Sequence, residues 1–362
     1  MNAPQRLRAN LRVIWAITAK DVTDALKNKN ALANLIGVAF MMVMYMALPS
    51  IRGEAPPLAV YDAGGSALLE ELEDSDDVRW YLRESAEDVE YLVADWNEPM
   101  LGLLVPADFD ERVEAGEEVT LQGYFAFWVA EEKAQGATSY AEEQIAAVAG
   151  HSVRIEIEGN VVQTTPDTDG RPLLVSLTVG MVVAMLGITI LPHLMIEEKL
   201  TKTIDLLLVS PASMSQVVIG KALTGLFYAL TAVAVIFAFN MTLIVHWGLT
   251  ILAAILGSLL CVGLGLLLGS LLKMRQQLVL WGFLILMVLM LPMFLVTMRG
   301  LVPDNVIAVL RWIPMPAMGR VLRASFAESA TLWDVGAELA VLAVSVALVL
   351  AAVVWVVRRS DR

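Results

Sequence analysis

Residues 197–221 read EEKLTKTIDLLLVSPASMSQVVIGK, from Glu197 to Lys221. The stretch is a charged patch between two long uncharged runs, Pro172–Ile196 and Ala222–Val245. Its reading decides the fold, because it must lie on one side of whatever those two runs cross. Further uncharged runs cover Ala31–Leu48, Trp247–Leu272, Gln276–Met298 and Leu339–Val357. A helix that crosses a bilayer needs about 20 apolar residues at about 1.5 Å each. The runs therefore predict an α-helical polytopic membrane protein with six transmembrane helices, at 31–48, 172–196, 222–245, 247–272, 276–298 and 335–357. Composition agrees: the 362-residue chain is 57% hydrophobic with mean hydropathy +0.67, well above a soluble domain.

Charge is divided sharply. Segment 49–171 holds 28 acidic and 7 basic residues, a net of −21, and the rest holds 10 acidic and 18 basic, a net of +8. Basic residues precede the first run (Arg6, Arg8, Arg12, Lys20, Lys27, Lys29), follow the second (Lys199, Lys202, Lys221), follow the fourth (Lys273, Arg275) and end the chain (Arg358, Arg359, Arg362). With six spans, all four clusters fall on one face. Basic loops mark the cytoplasm. Both termini, the tail 358–362 and segment 197–221 are thus expected inside the cell, in its inner (plasma) membrane, with 49–171 outside. No basic stripe suits nucleic acid.

Segment 1–30 spaces Leu7, Leu11, Ile14, Trp15, Val22 and Leu26 along one side of a helix, an amphipathic elbow fit for the headgroup plane. Segment 49–171 reads as an inserted extracytoplasmic α/β domain. LAVYD, LGLLV, VTLQGYFAFWV and SVRIEIEG are strand-like, and ALLEELED, AEDVEYLVADW, ADFDERVEAG and 131–150 are helical. Segment 299–334, broken by Pro314 and Pro316, reads as external re-entrant or interfacial helices.

Catalytic spacing is missing. There is no G-x-x-x-x-G-K-[ST], H-E-x-x-H or G-x-S-x-G, so the chain is not expected to be an enzyme. The single cysteine, Cys261, supports no disulfide and reads as a small core residue. The spans hold few acids near their middles, which argues against a carrier driven by its own ion gradient. What they do hold is breakers and small residues. Gly263, Gly265 and Gly269 are expected to form one helix-packing face. Asn240 and Pro292 are candidates for a pathway, with packing as the plainer role. Pro192 is a second candidate kink.

Within the opening stretch, Leu200, Ile204, Leu207 and Leu208 share one helical face, Ser210 is placed to cap the next helix, and Pro211 suits its first turn. Segment 197–221 thus reads as a stiff two-helix elbow. The stretch resembles the cytoplasmic signature of ABC-2 type permeases, the membrane subunits of ATP-driven exporters. Glu197, Glu198, Lys199, Thr203, Leu206, Leu207, Ser210, Pro211, Gly220 and Lys221 carry the resemblance, and Asp205 stands where the family commonly has Glu. It implies that this segment, Leu208 included, couples to a separate ABC ATPase subunit. ATP and Mg would then be held by that partner, and no cofactor by this chain. A second permease subunit, identical or different, would complete the unit within the lipid bilayer. The large domain between the first two spans resembles the sodium-extrusion subgroup. Na⁺ and an amphiphilic drug, peptide or lipid are the substrates this leaves open. The alternative is a non-transporting membrane complex whose external domain binds a ligand or partner.

Overall fold

The computed structural model of the chain describes residues 3–27, 37, 56–69, 79–150, 152–157, 159–166, 168–200, 213–297 and 302–360. The first apolar run, Gly37 apart, lies outside the described residues, as do 201–212 of the opening stretch. Among the described residues, five helices are long and apolar enough to cross a membrane: Gly170–His193, Ser215–Phe239, Trp247–Leu271, Gln276–Thr297 and Gly336–Arg359.

The chain begins with helix α1 (Ala3–Lys27). An α/β unit follows. Its strands are β1 (Leu58–Asp62), β2 (Trp80–Leu82), β3 (Leu101–Val105), β4 (Val119–Ala126), β5 (Val153–Glu156) and β6 (Val161–Val162). They form one sheet in the order β2-β1-β3-β4-β5, with β6 on β4. Only the β3–β4 pair is antiparallel. Among the described residues, a helix begins at Ala67, and three complete helices lie between strands: α2 (Ala86–Asp95), α3 (Phe109–Glu114) and α4 (Glu131–Ala149).

Period-two alternation sorts the two faces. Leu101, Leu103 and Val105 share a core with Ala134, Ala137, Ala141 and Ile145 of α4. Gly102 points the other way, where a Cβ would come within 2.7 Å of Val89 and 2.9 Å of Val93 of α2. A glycine in the strand therefore lets α2 close on the sheet. That second face is continuous with the helix bundle, since Ala59, Val89, Val93 and Trp128 belong to the same buried cluster as the long helices.

Helix α5 (Gly170–Met185) runs into a π-helical turn, Leu186–Ile190, and on into α6 (Leu191–Leu200). The cause is local. Pro192 has no N–H to donate, and its ring would strike the carbonyl four residues back, at Ile188, in a regular helix. The wider turn lies where that clash would occur. Next come α7 (Met214–Phe239), α8 (Trp247–Leu271) and α9 (Arg275–Thr297), the last with Pro292 inside it. Two short helices, α10 (Asp304–Leu310) and α11 (Pro314–Ala324), precede α12 (Gly336–Ser360).

Helix α11 is buried along its length. Met315, Met318, Val321 and Leu322 are all 0% exposed, and it touches α5, α8, α9 and α12. Pro314 begins it at a position where a missing N–H costs nothing. At its far end the Ser325 carbonyl accepts the His246 N–H at 2.8 Å, tying it to the start of α8.

One expectation is corrected by the packing of α8. Gly263, Gly265 and Gly269 do not share a face. Gly263 faces Val349 of α12, whereas Gly265 and Gly269 face the π-turn and α6, against Gly187, Pro192 and Met195. Residues i and i+2 stand about 200° apart on a helix, so Gly263 and Gly265 cannot share one. The residue that joins Gly265 and Gly269 is Cys261, four positions earlier, whose backbone carbon would lie 2.5 Å from a Cβ on Gly187. The helix cap is corrected as well. Ser213, not Ser210, caps the helix that continues into the next span. Its hydroxyl accepts the Gln216 N–H at 3.4 Å, while the Gln216 side chain accepts the Ser213 N–H at 2.9 Å, a complete capping box.

Candidate functional site

The sequence placed its main site at 197–221, and the structure describes the two ends of that stretch. Glu197, Glu198 and Lys199 lie in the last turns of α6. Thr203, Asp205, Leu206, Leu207, Leu208, Ser210 and Pro211 lie outside the described residues. Gly220 and Lys221 sit inside a helix–helix contact between α7 and α1, so neither offers a free face to a partner.

That contact is built from one face of each helix. On α7, Gln216, Gly220, Lys221, Thr224 and Tyr228 recur at helical spacing. Gly220 brings the backbones together, since a Cβ there would lie 2.7 Å from Ile17. The Thr18 hydroxyl lies within donor reach of the Ile14 carbonyl (2.9 Å) and the Gly220 carbonyl (3.2 Å), and Thr224 also donates to Gly220 at 3.0 Å. Tyr228 donates to the Val22 carbonyl at 3.0 Å, and the Gln216 amide donates to Asn10 at 2.9 Å. At the centre, Lys221 Nζ stands 3.3 Å from Asp21 Oδ2, with side chains 4% and 14% exposed. A pair this sheltered acts as a register pin, because either charge alone would be left in a poor solvent. The apolar stripe expected on α1 is split by this packing. Ile17, outside that stripe, packs on Gly220 of α7 and Ile14 is half-buried, whereas Leu11 and Trp15 stay 56% and 70% exposed.

At the other end of α7, roughly 38 Å away at 1.5 Å per residue over its 26 residues, Asn240 ends the helix. It is 3% exposed. Its amide nitrogen donates to the Ile236 carbonyl at 2.9 Å, and its oxygen accepts from Arg171 Nε at 3.3 Å and a terminal guanidinium nitrogen at 3.1 Å. Asn240 is therefore a tie between two helix ends. The same guanidinium lies 4.6 Å over the Trp128 ring, which joins the α/β unit to the tie. The Trp128 indole N–H itself is buried without an acceptor among the described residues.

Further bonds hold the unit down. Asp169 accepts from Arg323 at 3.4 Å, and its own N–H donates to Asp95 at 2.7 Å. Thr164 donates to the Phe326 carbonyl at 3.1 Å. Gly170, at φ +51, passes so close to the Asp95 carbonyl that a Cβ could not fit. Nearby, Arg320 Nε stands 3.2 Å from Glu338 at the start of α12, a charge pairing without hydrogen-bond alignment. None of these charges was legible as a pair in the sequence, since the partners stand far apart along the chain. Pro292, the other pathway candidate, is buried within α9. Among the described residues no group of three or more His, Cys, Asp or Glu is placed to hold a metal ion.

The arrangement can hold two remote ends of one bundle in fixed register, with a helix clamped on one and an α/β unit on the other. A family model described as ABC-2 family transporter protein matches residues 32–355. No curated protein and no solved structure matches the chain significantly.

Proposed function

Because the chain belongs to the family of ABC-2 transporter proteins, we propose that it is the permease subunit of an ATP-driven exporter. The ATPase is a separate subunit, which holds ATP and Mg. A second permease subunit completes the unit. The chain crosses the inner membrane six times, with 31–48 as the first span, both termini in the cytoplasm and the α/β unit outside. The match over 32–355, which runs from the first apolar run into the last span, carries this reading.

Segment 197–221 is the coupling element. The face formed by Leu207 and Leu208 docks on the ATPase, and the helix ends at Leu200 and Met214 convey its movement into α6 and α7. The Asp21–Lys221 pin makes α1 travel with α7. We favour an amphiphile over Na⁺ as substrate, because the charged groups described at the span ends are already engaged with one another.

The test is made in vesicles containing this chain and an ABC ATPase that co-purifies with it. Leu207→Asp combined with Leu208→Asp should abolish ATPase association and ATP-dependent solute movement, while the folded chain still inserts. Undiminished ATPase binding and movement in that variant would remove the coupling reading.

A further inference from the structure

A cleft of about 240 Å³ opens where the α/β unit meets the outer ends of α5 and α7. Its walls include Trp128 and Lys133 at the start of α4, Arg171 at the start of α5, and Phe239, Met241 and Thr242 where α7 ends. The lining is mixed in a particular way. Phe239 is partly buried and Met241 is 60% exposed, giving an apolar wall at the end of a membrane-length helix. The lining also carries two cations, Lys133 and Arg171. They stand out in the most acidic part of the chain, because 49–171 has only 7 basic residues. Among the others, Arg79, Arg112 and Arg154 pair with Glu98, Glu117 and Glu118. Glu98 also lines the cleft, and the Arg79 guanidinium stands 4.0 Å from its carboxylate. Lys133 is exposed. Arg171 is held by Asn240 and Trp128.

The depth of the cleft matters as much as its charge. It lies level with the last residues of α7, roughly 38 Å along that helix from its first turn, over 26 residues. A hydrocarbon core about 30 Å thick ends near this level. Headgroups are therefore at hand beside it, and acyl chains below.

We propose that this cleft binds an anionic amphiphile of the phospholipid kind. Its phosphate sits between Lys133 and Arg171, and its chain lies along Phe239 and Met241. The assignment goes beyond the permease reading and does not need it. A bound amphiphile would join the α/β unit to α5 and α7 at a place where both contribute walls. An amphiphilic occupant fits the pairing of walls better than a free anion, which would leave the apolar side wet.

The test uses the full chain purified in a neutral detergent, with no ATPase present. Dihexanoyl phosphatidylglycerol, dihexanoyl phosphatidylcholine and inorganic phosphate are each titrated, and thermal stabilisation reads apparent affinity. The wild type should bind the glycerol lipid about fivefold or more tightly than the choline lipid. Lys133→Gln should weaken the glycerol lipid about fivefold, the effect of one juxtamembrane cation, and the choline lipid less, because its ammonium already offsets the phosphate charge. Met241→Gln should weaken both lipids. Equal affinity for the two lipids, or an unchanged preference in Lys133→Gln, overturns the site. Inorganic phosphate competing as strongly as the glycerol lipid, or a Met241→Gln variant with unaltered lipid affinity, overturns its amphiphilic character. Loss of ATPase coupling in another variant would touch none of these readings.

Discussion

Lys221 and Asp21 are 200 positions apart in the chain, yet Nζ and Oδ2 meet at 3.3 Å in the contact between α7 and α1. The pair explains why a lysine tolerates a position 3% exposed. It is a positional device more than a source of stability, because desolvating both charges consumes most of their attraction. The consequence can be measured. Asp21→Ala should lower the stability of the purified chain by about 3 kcal/mol, and the double variant Asp21→Leu, Lys221→Met should recover most of it. Thermal melting of the three proteins decides the matter. If the double variant melts no higher than Asp21→Ala, the two residues are not acting as a pair.

The contact of α8 with the π-turn depends on the absence of side chains. A Cβ on Gly265 would run into the Gly187 carbonyl. Gly265→Val should destabilise the chain by about 1–3 kcal/mol or more, as overpacking does. Gly282→Ala is the control, because its nearest neighbour would be the Ile188 carbonyl at 3.9 Å. There the gain in helix propensity should leave melting unchanged or slightly raised. Equal losses in both variants would show that the tight approach at Gly265 is unimportant.

Asn240 links the end of α7 to Arg171, and through it to Trp128. Asn240→Leu removes an acceptor from two guanidinium N–H groups and a donor from the Ile236 carbonyl. A loss of about 1–3 kcal/mol is expected. Hydrogen exchange should rise at the first turn of α5 and at 240–246, but not in the α1 contact. Faster exchange along the whole of α7 would instead indicate general unfolding.

A pH dependence comes from the loop after β1. Burial pushes the Asp62 carboxyl up, but four hydrogen bonds outweigh it. These come from the Ser66 hydroxyl and from the backbone N–H groups of Gly64, Ser66 and Gly65, and together they hold the group below its ordinary 3.8. A depressed carboxylate adds stability that is complete above the unfolded value and fades as pH falls toward the folded one. Asp62→Asn should therefore melt lower than wild type at pH 7, and the difference should shrink below about pH 4. A gap that stays constant down to pH 3 would assign the effect to shape and not to charge.

Hydropathy located α8 and α9 almost to the residue, because Trp247–Leu272 and Gln276–Met298 are bounded by His246 and by Lys273 and Arg275. For α7 the uncharged run Ala222–Val245 starts after Lys221, and it is the expected cap and first turn near Ser210 and Pro211 that put the helix start ahead of it. The helix starts at Met214, and a lysine neutralised by a distant aspartate does not interrupt it. The run ends at Val245, but the helix ends at Phe239, where Asn240 turns to Arg171. Local patterns cannot carry either fact, for both partners come from elsewhere in the chain. In the α/β unit, apolar patterning revealed β1, β3, β4 and β5. It missed β2 and β6, which are three and two residues long, too short for a period to register. Gly263 was grouped with Gly265 by composition, which spacing on a helix forbids.

The π-turn at Leu186–Ile190 has a geometric outcome of its own. One surplus residue in a helix sets everything downstream about 100° out of phase with an unbroken spiral. Deleting one residue there would turn the backbone of the last helical turns through that angle. The compass heading of Leu191–Leu200 is thus fixed by an insertion in the middle of the bundle.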